Sequence, residues 1–258
     1  MLFSRLDKIA VAMLLSVMPV IAQTNTVKFQ SSPAQTALLE LYTSEGCSSC
    51  PPAENWLNRL KSSPGLWTDF VPMAFHVDYW DRLGWSDPWA GTAFTDRQRS
   101  YTKLWRSHSL YTPAFVLNGK EWRDWSEHQE APGSSIAKPG ALTVNSSDSR
   151  RWQVSFDCTN TASANYEVHA ALLGGNLNSD VKAGENRGRH LTHEFVVLSL
   201  VNARLSSANG IAKGEFILPA STNAAAGERA LAVWITESGH LESLQATGGW
   251  LHQSASGH

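Results

Sequence analysis

The stretch ALLELYTSEGCSSCPPAENWLNRLKSSPG, residues 37–65, narrows the fold more than any other part of the chain. Residues 37–43 are a compact apolar run whose single charge is Glu40, the pattern of a strand buried on both faces. Pro51 and Pro52 mark the first turn of a helix, where a missing N–H costs nothing. Ala53, Trp56, Leu57 and Leu60 then recur at helical spacing, one apolar face for packing on a sheet. Ser63, Pro64 and Gly65 end the helix, and residues 70–78 form a second strand. Strand, helix and strand in this order make a βαβ unit, with parallel pairing and a right-handed crossover.

An aromatic segment follows, YWDRLGWSDPWAGTAF, and after it a helix in which Thr95 and Gln98 have capping-box spacing and Tyr101, Leu104 and Trp105 share a face. TPAFVLNGKEW reads as a strand, an Asn118-Gly119 turn and an antiparallel return strand. Residues 129–141, rich in Pro, Gly and Ser, look like a linker. Beyond them short β-type runs recur at 152–156, 166–173, 195–200, 215–218 and 230–236, separated by polar, Gly-rich stretches. The expectation is an α/β domain over residues 36–130, followed by an all-β, sandwich-like domain over 140–250.

Residues 1–22 are set apart from this fold. Arg5 and Lys8 precede an apolar run over 9–21, broken by Ser16 and Pro19, and Val20 and Ala22 offer small residues at a cleavage site. The run is shorter than the ~20 residues that cross a bilayer. It reads as a signal peptide, so the protein is expected to be exported, periplasmic or secreted, and to have no membrane contact after cleavage. Disulfides persist in such compartments. Net charge is −2, which argues against nucleic acid as a partner because phosphate binding needs a basic surface.

Cys47 and Cys50 enclose Ser48 and Ser49 between the buried strand and the helix N-terminus. The unpaired N–H groups and the positive end of the helix dipole favour a thiolate at Cys47, the species that attacks disulfides. Cys50, in the first turn, is then the resolving thiol, and attack, mixed disulfide and release complete an exchange cycle. A structural disulfide is the plainer alternative. Closing so short a loop stabilises only roughly 2 kcal/mol, against ~4.7 for a 100-residue loop. Two thiols with His76 as third ligand make a metal-site alternative, in which soft thiolates select Cu(I). A second CxxC is absent, and the exchange reading needs no cofactor beyond the Cys47–Cys50 disulfide itself.

Thr112-Pro113 before the run AFVLNG adds to this pattern. Strand, CxxC, helix and then a Thr-Pro strand ending in Asn-Gly resembles the thioredoxin superfamily. The resemblance implies that Pro113 is cis and lies against the redox pair, and that the Thr112 backbone pairs with a bound substrate strand. More closely, LELYTSEGCSSCPPAE, FHVDYWDRLGWSDPW with TDRQRSY, YTPAFVLNG and GENRGRHLTHEFVV resemble an exported, thioredoxin-like family known as domain of unknown function 1223. On that resemblance the first domain is thioredoxin-like and the protein exported, while the position of the Cys pair makes thiol–disulfide oxidoreduction the expected activity, with a protein thiol or disulfide as substrate or redox partner.

Lesser candidates surround the pair. His76 and Asp78 share one side of the second strand near its carboxyl end, the edge that also carries Cys47, so either is a candidate proton acceptor for Cys50. Trp80, with Trp85 and Trp89, either floors a peptide groove or packs an inserted loop. A non-enzymatic secreted binding module would use this loop and the second domain, with the cysteines as a locked clip. Residues 184–190 read as a binding loop or as a turn held by Glu185 and Arg187, and Cys158 as a small core residue. No Gly-x-Ser-x-Gly, Walker-type or His-Glu-x-x-His pattern supports a hydrolase or nucleotide site.

Overall fold

Every residue of strand β2 (Ala37–Thr43) is buried, Glu40 included, as expected of a strand covered on both faces. The computed structural model describes residues 26–128, 130–133, 135–159, 165–219 and 227–251, so the expected signal peptide lies outside the described residues. Helix α1 (Pro51–Arg59) buries Ala53, Trp56 and Leu57, and also Glu54. It crosses to β3 (Phe70–His76), parallel to β2 in register from Ala37 opposite Phe70 to Thr43 opposite His76. Helix α2 (Thr92–Leu104) starts three residues before Thr95, with Gly91 as N-cap and no side-chain cap. Thr95 therefore lies inside the helix and cannot form the expected capping box, and its hydroxyl donates to Asp78 at 2.6 Å. β4 (Ala114–Leu117) runs antiparallel to the other edge of β2 and turns into β5 (Lys120–Glu121). Asn118 and Gly119 at that turn have φ of 48° and 86°, the left-handed conformation a tight hairpin demands.

Among the remaining described residues the regular elements are almost all strands. β1 (Val27–Gln30), β6 (Leu142–Ser146), β7 (Arg151–Asp157), β8 (Tyr166–Gly175), β11 (Val196–Ala208), β12 (Ile211–Ile217), β13 (Glu228–Glu237) and β14 (Ser243–Trp250) join β2 to β5 in one mixed sheet of 12 strands. β9 (Leu177–Asp180) and β10 (His190–His193) form a separate hairpin. β11 makes the junction: Val196 pairs in parallel with Ala74 of β3, most of the strand lies against β8, and Ser206 to Ala208 pair with β12.

This overturns the expected fold class of an α/β thioredoxin-like domain followed by a separate all-β sandwich. The molecule is mostly β and one sheet runs through both halves. The physical reason is visible along β13. Ala230, Ala232 and Trp234 face the core that holds β2, β3 and α1, whereas Leu231, Val233 and Ile235 face a second core with Trp152, Phe156 and Tyr166. β8 divides in the same way, Ala171 and Leu173 to the first core and Ala170 and Leu172 to the second. A strand that is apolar on both faces cannot belong to an isolated sandwich with one wet side. The buried Arg97 guanidinium pairs with Glu40 at 2.7 Å and lies 5.2 Å from the Trp234 ring, tying α2 to β2 and β13.

Candidate functional site

β2 ends one residue before a tight turn that delivers both cysteines to the start of α1. The Cys47 N–H donates to the Ser44 carbonyl at 3.1 Å, and the Cys50 carbonyl accepts from the N–H groups of Ala53 and Glu54 at 3.0 and 3.1 Å. Cys50 is the N-cap, and Pro51 and Pro52 occupy the first helical positions. The two sulfurs are bonded, with Cα atoms 5.4 Å apart. Both cysteines are fully buried, while Ser48 and Ser49 between them are exposed.

The loop between β9 and β10 covers the pair. Glu185 Oε2 accepts from the Ser48 N–H at 3.0 Å and the Ser48 hydroxyl at 2.6 Å, which holds its carboxyl below the usual range. The buried Asn186 amide donates to the carbonyls of Glu45 and Cys47, each at 2.8 Å. From the first half comes the Thr112-Pro113 bond, which is cis. The Thr112 carbonyl accepts from the Ser49 hydroxyl at 3.5 Å and its side-chain oxygen from Trp80 Nε1 at 2.8 Å.

Adjoining the pair through Glu45 and α1 is a buried polar cluster. Glu45, Glu54, His76, Asp87 and His193 are all buried. His193 bridges two carboxylates, Nδ1 to Glu54 Oε2 at 2.6 Å and Nε2 to Glu45 Oε1 at 3.0 Å. Thr43 donates to the other Glu54 oxygen and Trp85 Nε1 to the other Glu45 oxygen, the latter at 2.7 Å. His76 Nδ1 meets Asp87 Oδ2 at 2.8 Å, and its ring stands edge-on to that of His193 with centroids 5.1 Å apart. Burial works against a charge on His193, yet the carboxylates of Glu54 and Glu45 outweigh it and push the pKa up to about 10. Glu54 and Asp87, which burial alone would raise, are held below the usual carboxylate range by His193 and His76 respectively.

The structure thus brings Cys47, Cys50, Thr112, Pro113 and Trp80 together. His76 is engaged with Asp87, and Asp78 turns away to accept from the Thr92 and Thr95 hydroxyls of α2, each at 2.6 Å. Trp85 bonds Glu45, and Trp89 packs on Leu177 and Val196, so these rings serve the interior. Cys158 is buried among the second core. For a metal, Glu54, His76 and His193 each offer one ligand atom within 4.8 Å of the others. Sequence reasoning singled out neither Glu54, Asp87, Asn186 nor His193. Two carried a signal: Glu54 as a charge beside the apolar stripe of α1, and Asn186 by its place in the polar loop 184–190.

The chain belongs to the family described as protein of unknown function (DUF1223), whose model matches residues 38–236. Among solved structures it is similar to protein AGR_C_4864 from Agrobacterium tumefaciens, at 22% identity over 84% of this chain and 94% of that one, with a TM-score of 0.54. It is also similar to HBP35 of Porphyromonas gingivalis, at 11% identity over 88% of this chain and 80% of that one, again with a TM-score of 0.54. At such identities the likeness is one of fold alone. No curated protein matches the chain. Among the described residues, no helix is long and apolar enough to cross a membrane.

Proposed function

We propose that this is an exported thiol–disulfide oxidoreductase acting on a protein substrate, with residues 1–22 removed on export. The observation that carries the reading is the bonded Cys47–Cys50 pair at the N-terminus of α1, with the Thr112 carbonyl beside it. In the reduced protein the Cys47 thiolate attacks a substrate disulfide, forming a Cys47–substrate bond and releasing one substrate thiolate. Cys50, deprotonated, then attacks Cys47 Sγ, releases the second substrate thiolate and restores the internal disulfide. Run backwards, the same steps oxidise a substrate dithiol. The local resemblance of the CxxC helix and Thr-Pro segment to the thioredoxin superfamily supports the reading, with the Thr112 backbone receiving the substrate strand. Because both sulfurs are buried, access requires Glu185 to release Ser48.

The test is a trapping assay against an unfolded protein that carries a disulfide, which the Cys47 thiolate attacks with release of one substrate thiolate. Cys50→Ser should accumulate a mixed disulfide on Cys47, and Cys47→Ser should form none and exchange nothing. If both variants behave like the wild type, the catalytic reading fails.

A further inference from the structure

The buried polar cluster is organised as metal sites are. Each imidazole has one ring nitrogen held by an outer carboxylate, Asp87 on His76 Nδ1 at 2.8 Å and Glu45 on His193 Nε2 at 3.0 Å. Such partners fix the tautomer and leave the other nitrogen as the ligand. On His76 that nitrogen is Nε2, which is buried and has no hydrogen-bond partner. On His193 it is Nδ1, already 2.6 Å from Glu54 Oε2. The outer groups are held in turn, Glu45 by Trp85 and Asp87 by the Trp89 N–H at 2.9 Å. The gap that Glu54, Ala74, His76 and His193 line, with Leu57, Asn58 and Glu194, is too narrow for a water molecule. A buried acceptor that water cannot reach is costly, and an ion held by contacts of about 2.0–2.2 Å needs far less room than water.

We propose that Glu54, His76 and His193 bind a divalent transition-metal ion of the zinc class, with Asp87 and Glu45 as outer carboxylates. Two imidazole nitrogens and one carboxylate oxygen are a borderline donor set that suits Zn2+, and with no thiol among them the set does not select Cu(I). On binding, the ion takes the place of the proton between His193 Nδ1 and Glu54 Oε2, and that proton leaves to solvent. The ligands come from α1, the end of β3 and the end of β10, so the ion cross-links elements from both halves of the chain. The site involves neither cysteine and stands whether or not the exchange reading holds.

Calorimetric titration of Zn2+ into chelator-treated, oxidised protein tests this. The expected result is saturable binding of a single ion per chain, release of close to one proton per ion and a raised melting temperature. His76→Gln and His193→Gln should abolish the binding, Asp87→Asn should weaken it about 10–100-fold, and the Cys47→Ser/Cys50→Ser double variant should keep it. Should a histidine variant fail to fold, the wild-type stoichiometry and proton release still decide. Absence of saturable binding to the wild type overturns the proposal, as does binding that follows the cysteines and survives in the histidine variants.

Discussion

Alkaline pH should destabilise this protein through a single buried imidazole. Between Glu45 and Glu54, His193 titrates near 10 in the folded state, against ~6.5 for an unfolded chain. Because the folded pKa is the higher, its stabilisation is complete below about pH 6.5 and is lost as pH rises towards 10. The difference of about 3.5 units corresponds to about 5 kcal/mol in full, or ~1.4 kcal/mol per pH unit within that window. Glu54 and Asp87, both held low, are ionised in folded and unfolded states alike across the window and add no slope. Urea unfolding of the oxidised protein with chelator present should therefore lose about 2–3 kcal/mol between pH 7 and 9. The His193→Gln variant, less stable throughout, should lack this component, and NMR titration of the native imidazole gives an independent pKa. Equal pH slopes for the two proteins, or an imidazole that titrates near its ordinary value, would refute the reasoning.

Two further outcomes follow from particular contacts. Glu185→Ala frees Ser48 and loosens the cover over the disulfide, so dithiothreitol should reduce Cys47–Cys50 severalfold faster with little change in melting temperature; an unchanged rate would mean the loop does not guard the pair. Arg97→Met strands the Glu40 carboxylate, which would keep only the hydroxyls of Tyr42 and Tyr101, and should cost about 3–5 kcal/mol in denaturant unfolding. Adding Glu40→Gln should restore part of that loss.

The elements near the cysteines were legible because each has a local signal. Pro51 and Pro52 announce a helix start, Asn118-Gly119 a hairpin, and the run 37–43 a doubly buried strand. The runs at 152–156, 166–173 and 230–236 fell within β7, β8 and β13, whereas those at 195–200 and 215–218 caught only the start of β11 and the end of β12. Their partners did not show, since a parallel bridge such as Val196 with Ala74 leaves no trace in local periodicity. Residues 230–236 carried a hint in being apolar on both faces, which a sandwich strand with one wet side should not be. The buried cluster escaped for a different reason. Glu54 and His193 have the look of solvated side chains, and only the approach of the β9–β10 hairpin to α1 gives them partners 139 residues away in sequence. Thr95 illustrates the same limit on a small scale: its hydroxyl serves Asp78, which lies outside the helix, instead of a cap.

The reduction potential of the Cys47–Cys50 pair tests the central claim most directly, measured by equilibrating the protein with glutathione or dithiothreitol buffers and counting thiols by mass spectrometry. The exchange reading predicts a value between about −120 and −270 mV, the range of known exchange catalysts. A value below about −300 mV, with the pair resistant to reductants even in Glu185→Ala, would be that of a structural disulfide and would contradict it.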